Sequence, residues 1–179
     1  MSGYSQAKKE REYRIQKEQF PDSAFALISQ LENIQRIKYY FESDSTKTSY
    51  EAKFKKNGRR FSVEFDIEGT LEDVEAYISE KEMTAVARSS VHNFLEARFR
   101  RYRIIKIQRQ YPYSADKNPL TIIQNALSEK TSNDTNFEIL IAAREENKGF
   151  EDYEILFDHS GKFIQLRKSI PPAYGYILY

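Results

Sequence analysis

Polar and apolar residues alternate at period two over most of this chain, the spacing of strands with one buried face. Ile37, Tyr39 and Phe41 alternate with Lys38, Tyr40 and Glu42, and Tyr50, Ala52 and Phe54 with Glu51, Lys53 and Lys55. Asn57-Gly58 follows, a two-residue hairpin turn in which both residues take positive φ. Phe61, Val63 and Phe65 continue the apolar face, and Asp66 to Gly69 turns the chain into a further strand over 71–78. One side of such a sheet is apolar and the other is Lys and Glu, so the sheet is antiparallel with one side in water. Its cover is a helix opening at Pro21-Asp22, where Pro fits the first turn and Asp the positive end of the dipole. Ala24, Leu27, Ile28 and Leu31 form the inner face of that helix and Asn33 ends it. Tyr13 and Ile15 mark a short extended segment before it.

The same order then resumes. Thr84 caps a helix over 85–100 that carries Val91, Phe94 and Leu95 inward. Ile105 and Ile107 open a strand that ends near Tyr111-Pro112-Tyr113. Asn118 and Pro119 start an inserted helix with Leu120, Ile123 and Leu127 on one side. A polar loop over 128–136 leads to strands at 137–143, 153–157 and 162–168, and Pro171-Pro172 stops the pattern. Residues 61–71, FSVEFDIEGTL, return as residues 153–163, YEILFDHSGKF, 92 positions on. A turn repeated with matched alternation on both sides points to one supersecondary unit used twice. The expected fold is therefore α+β: two tandem repeats, each an antiparallel sheet of about four strands packed on one or two helices. The first unit spans 8–83, the second, with the inserted helix, 84–170, and a Tyr-rich tail 171–179.

Composition narrows the function. The 179 residues carry a formal net charge of +1, so no global charge draws the chain to nucleic acid or an anionic membrane. There is no cysteine, which removes disulfides, thiolate nucleophiles and Cys-ligated zinc. No apolar run reaches the ~20 residues of a membrane-spanning helix. Ser5-Gln6-Ala7 fits the small-x-small pattern before a signal-peptide cleavage point, yet the apolar stretch that belongs ahead of it is missing. The segment reads either as the remainder of a removed signal peptide or as an ordinary terminus.

The order and spacing of several short motifs resemble a known family. These are Glu12-Tyr13-Arg14-Ile15, Phe20-Pro21, Tyr50-Glu51-Ala52-Lys53-Phe54, Phe61-Ser62-Val63-Glu64-Phe65-Asp66 with Gly69, Leu71-Glu72-Asp73-Val74-Glu75, and residues 104–111 and 153–161. Together they resemble the PepSY-like, β-lactamase-inhibitor-like family of secreted proteins from Bacteroidetes-type bacteria. The resemblance implies a periplasmic or secreted protein of two similar α/β units, without catalysis or cofactor, that binds another protein, in the manner of an inhibitor or regulator. It supplies no catalytic residue.

Individual residues add few candidates. His92 and His159 have no metal-ligand spacing around them, and Asp66 to Gly69 and Asp158 to Gly161 lack the oxygen density of a calcium loop. No metal site is expected. Arg98, Arg100, Arg101, Arg103, Lys106 and Arg109, interleaved with Tyr102, Tyr111 and Tyr113, form the densest basic stretch. It straddles a helix end and a strand, and the balanced total charge speaks against a nucleic-acid partner. On the outer face of the second sheet the alternation places Ile104, Leu140, Leu156 and Leu166, and aliphatic clusters on a wet face mark binding surfaces. These four residues are the expected protein-binding site. Two other functions remain open: a carboxylate-based hydrolase with its cleft between the units, and a binder of small amphiphiles. Most of the 27 acidic residues are expected to face Lys or Arg on neighbouring strands, as on solvated surfaces.

Overall fold

The computed structural model describes residues 11–43, 47–146 and 148–169. Among the described residues, nine strands form one antiparallel sheet in sequence order: β1 (Arg11–Ile15), β2 (Gln35–Ser43), β3 (Thr48–Lys56), β4 (Arg59–Phe65), β5 (Leu71–Tyr77), β6 (Arg101–Pro112), β7 (Asn136–Arg144), β8 (Phe150–Asp158) and β9 (Phe163–Ser169). Three helices accompany them: α1 (Asp22–Ile28), α2 (Ala85–Arg98) and α3 (Pro119–Leu127). The expected tail over 171–179 and the first residues of the expected first unit, 8–10, lie outside the described residues.

The expectation of two tandem four-stranded sheets is overturned. β5 pairs antiparallel with β6 from Asp73↔Pro112 to Tyr77↔Gln108, so the ladder does not break at residue 84. The physical reason is the sheet edge. Had the chain closed a first sheet at β5, that strand would present a row of unpaired N–H and C=O groups. The chain instead passes through α2 on one face and returns to pair with β5. The extended segment at Tyr13 and Ile15 also belongs to the sheet, as β1 on β2. The repeated Phe-Asp-x-x-Gly motif thus marks a repeated turn and does not divide the chain into two tandem sheets.

All three helices pack on the same face. Alternate residues Ala52, Val63 and Val74, directly opposite one another on β3, β4 and β5, point to a core closed by Ala24 and Ile28 of α1 and by Ile122, Ile123 and Ala126 of α3. Although α3 follows β6 in sequence, it packs on this first core. A second core joins Ala87, Val91 and Leu95 of α2 to Ile139 and Ile141 of β7 and Ile155 and Phe157 of β8. The caps form as the sequence indicates: Thr84 Oγ1 accepts from Ala87 N at 3.1 Å, and Asn118 Oδ1 accepts from Leu120 N at 2.9 Å. Arg109 lies buried on the same face between Ala76 and Phe137, and donates to the Glu82 carbonyl at 3.0 Å.

The two turns carry the close packing. Gly69 and Gly161 take φ of 79° and 82°, and each turn is closed by the backbone N–H of Asp66 or Asp158 donating across it. Each glycine also sits under a helix start. A Cβ on Gly69 would stand 2.3 Å from Ser23 Oγ, and one on Gly161 would stand 2.3 Å from the Ala87 carbonyl oxygen and 2.9 Å from its Cα. Gly58, at φ 81°, has open space around it. Gly161→Ala is therefore expected to cost about 2–4 kcal/mol, the strain of positive φ plus overpacking against the backbone of α2. Gly58→Ala is expected to cost only about 1 kcal/mol. Urea unfolding of the two variants measures the difference, and equal losses would contradict the close packing of the turn on α2.

Candidate binding surface on the open face of the sheet

The side chains that alternate with the cores share the opposite face, on which no helix packs among the described residues. There they line one cavity of about 310 Å³, from Glu12 on β1 to Arg167 on β9. A single cavity reached from both outermost strands requires the sheet to curl around this face. Its lining contains eight carboxylates against four cationic side chains.

Strand register concentrates the acids. Glu51 on β3 stands directly opposite Glu64 on β4, which stands directly opposite Asp73 on β5. Like charges in direct cross-strand opposition destabilise a sheet. The expectation that acids here face Lys or Arg is therefore corrected for this row. The hairpin turn at Asn57-Gly58 and the pair Lys56↔Arg59 fix Glu51 opposite Glu64, and the separate pairing of β4 with β5 sets Asp73 opposite Glu64.

The acids fall into two groups. The oxygens of Glu12, Glu42 and Glu51 lie within 4.8 Å of one another, and Lys53 serves all three, with Nζ at 2.7 Å from Glu12, 2.8 Å from Glu51 and 3.9 Å from Glu42. Ser62 Oγ also donates to Glu51. Burial pushes the Glu51 carboxyl up, but its hydrogen bond with Glu42 and the Lys53 ammonium outweigh this and hold it below the ordinary value of 4.5. This group is compensated.

In the second group Glu64 and Glu75 have no such cation among the described residues. Glu64, Asp73 and Glu75 also have oxygens within 4.8 Å of one another. Glu64 and Glu75 make no ion pair among the described residues. Gln110 Nε2 donates to Asp73 at 3.1 Å, and Gln108 Nε2 donates to Glu75. Gln108 is 2% exposed, lines the cavity, and its Oε1 has no hydrogen-bond partner. Burial, reinforced by the neighbouring Asp73 and Glu75 charges, pushes Glu64 well above its ordinary range. Burial, reinforced by Glu138 and Asp73, does the same to Glu75, against the opposing field of Lys106. The arrangement attracts cations. Glu64, Asp73 and Glu75 have the spacing to share a divalent ion, although three carboxylates fall short of the six to eight oxygens calcium takes.

The four aliphatic residues expected to form the binding patch separate. Leu140 pairs with Lys106 and Glu154, and Leu156 with Glu138, so both lie on the open face beside the acids. Ile104 pairs with Ile141, and Leu166 with Ile155; both lie on the helix side, packed against the second core. Bulges explain this. The register shifts between Ile104 and Lys106 and between Leu156 and Phe157, and each extra residue inverts the alternation. His92 is held between Tyr102 Oη at 2.7 Å and Glu80 Oε1 at 2.6 Å, which ties α2 to the start of β6.

No protein-family profile matches the chain, and no curated protein matches it either. Among solved structures, a DUF2874 family protein from Bacteroides ovatus is similar at a TM-score of 0.52 and 13% identity, covering 83% of this chain and 87% of its own. A candidate periplasmic protein from Bacteroides eggerthii is similar at 0.51 and 16% identity, over 83% of this chain and 88% of its own. A BLIP-like protein from Bacteroides fragilis reaches 0.49 at 14% identity, over 83% and 86%. At these identities the first two show a shared fold, and neither carries the PepSY name. Among the described residues no helix is long and apolar enough to cross a membrane.

The acid cluster has a consequence for stability. Glu64 and Glu75 keep their protons in the folded chain at pH values where the unfolded chain has released them. Their contribution is fully present below the ordinary value of 4.5 and is lost as pH rises through the raised folded values. Thermal unfolding should show a melting temperature that falls as pH rises from about 5 to 8. Glu64→Gln, which keeps the shape and removes the charge, should raise the melting temperature at pH 8 and flatten that slope. A variant no more stable than the parent at pH 8 would contradict the assignment.

Proposed function

We propose that this chain is a non-catalytic protein-binding module of the cell envelope, periplasmic or secreted, that receives a cationic segment of a partner on the open face of its sheet. The observation that carries the reading is Glu64, held in direct opposition between Glu51 and Asp73 with Glu75 beside them; Lys53 serves Glu51, whereas Glu64 and Glu75 make no ion pair among the described residues. An isolated protein gains nothing from such a row, whereas a Lys or Arg side chain from a partner would relieve it. Leu140 and Leu156 lie on the same face and would receive an apolar side chain next to the cation. Ile104 and Leu166 take no part, because they pack towards the second core. The short motifs that resemble those of a secreted family, and the likeness in fold to a candidate periplasmic protein from Bacteroides eggerthii, support the envelope setting. Binding of this kind suits an inhibitor or regulator of the partner.

One observation favours a second reading. Glu51 is held below its ordinary range while Glu64, directly opposite, is pushed well above it, the kind of separation that sets base and acid apart in carboxylate hydrolases. The cleft between two units expected for such an enzyme does not form among the described residues, since β5 and β6 pair, and the carboxylates lie on the sheet itself. Turnover of aryl glycosides, lost in both Glu51→Gln and Glu64→Gln, would favour this reading over the first.

Titration calorimetry with an oligolysine peptide tests the binding reading. Saturable binding is expected, weakening steeply as salt is raised. The double variant Glu64→Gln, Asp73→Asn should bind about tenfold more weakly, a loss of about 1.4 kcal/mol. Glu18→Gln, an exposed acid away from the face, should bind as the parent does. Binding that is absent, or equal in all three proteins, would contradict the proposal.

A further inference from the structure

A second cavity lies at the other end of the sheet, where α2 hands over to β6. It holds about 650 Å³, within the range of small-molecule sites. Phe99, Tyr102, Ala142 and Phe150 supply its apolar lining, and Phe150 is 58% exposed. Arg100, Arg101 and Arg103 surround it. Glu96 is the one carboxylate in the lining.

These guanidinium groups differ from the rest of the basic stretch. Arg98 pairs with Glu145 at 2.5 Å, and Arg109 is buried on the Glu82 carbonyl. Arg100, Arg101 and Arg103 make no ion pair among the described residues. Arg101 stands directly opposite Arg144 on β7, and Arg144 Nε is buried without a hydrogen-bond partner. Arg144 in turn stands opposite Phe150. Like charges in direct opposition destabilise a sheet here as they do in the acid row. A bulge two residues beyond Arg103 turns Ile105 outward, where it is 46% exposed. Uncompensated guanidinium groups thus converge on an aromatic cavity with an open mouth.

We infer that this cavity binds a small amphipathic anion: a carboxylate or phosphate head held by Arg101 and Arg103, on an apolar body lying against Ala142 and Phe150. Guanidinium forks match both kinds of head in a bidentate manner. An inorganic anion would leave the aromatic lining unused. A nucleic-acid strand would need a basic track, and the same sheet face becomes acidic a few strands away. The ligand is either free in solution or presented in a bilayer, and both present the same head and apolar body.

The test is calorimetry on the full chain with dodecanoate and dodecyl phosphate below their micelle concentrations, and with inorganic phosphate and a thymidine oligonucleotide. Vesicles containing an anionic phospholipid form a further arm. Saturable one-site binding of at least one dodecyl compound is expected, with no binding of inorganic phosphate. Arg103→Glu should weaken it at least tenfold, and Ala142→Trp, which fills the cavity from the open face, should abolish it. Arg101→Gln, at an exposed strand position, serves should Arg103→Glu fail to fold, and should weaken binding severalfold. Binding to vesicles that exceeds binding to the free compounds would assign the bilayer as source, and the reverse would assign the free ligand. No saturable binding of either dodecyl compound would overturn the inference. So would equal binding by the parent and the folded variants, or an oligonucleotide that binds more tightly than either dodecyl compound.

Discussion

One ladder of backbone hydrogen bonds runs through all nine strands, and it decides which side chains must share a face. Every second residue is committed to the helices, and the residues between them are committed to the opposite side. Once α1, α2 and α3 have taken the apolar set, no helix among the described residues packs on the polar set, which is satisfied across strands. Lys53 does this for Glu12, Glu42 and Glu51. Among the described residues no cation serves Glu64 and Glu75 in this way, and burial beside like charges pushes both well above their ordinary range. The cost of the acid row is therefore set by sheet register, and local rearrangement of side chains cannot remove it.

The same ladder connects fold and chemistry at the turns. Gly69 and Gly161 allow the helix starts to approach the sheet closely, which keeps that face dry, while no helix among the described residues packs on the other. The open face is electrically divided. Its middle, on β3 to β5, is acidic, while the start of β6 and the end of β7 carry Arg101, Arg103 and Arg144. Each pole contains like-charged residues in direct opposition, and each lies at a cavity. Two such rows on one face are difficult to explain by solubility, which mixed charges serve better.

Strands, turns and helix caps were legible in the sequence because each has a local cause: period-two alternation, the Asn57-Gly58 turn, the Thr84 and Asn118 caps. The joining of everything into one sheet was not, because the pairing of β5 with β6 spans a helix and no local signal announces it. Bulges caused the errors at Ile104 and Leu166, since a single extra residue reverses which face a side chain takes. The opposition of Glu51 and Glu64 was within reach, because counting back from the Asn57-Gly58 turn along both strands places them together. Asp73 was harder, because the register shifts between Glu64 and Phe65. Gln108 left no signal, for its importance lies only in what surrounds it.

The central claim is that the open face holds an acid cluster that awaits a cation. The most direct measurement is a carbon-detected NMR titration of the Glu64 and Glu75 side-chain carboxyls, free and with a saturating cationic peptide. In the free protein both should titrate well above the ordinary carboxylate value of 4.5, and with the peptide bound both should move down towards it. Ordinary titration of both groups in the free protein, unchanged by the peptide, would contradict the account.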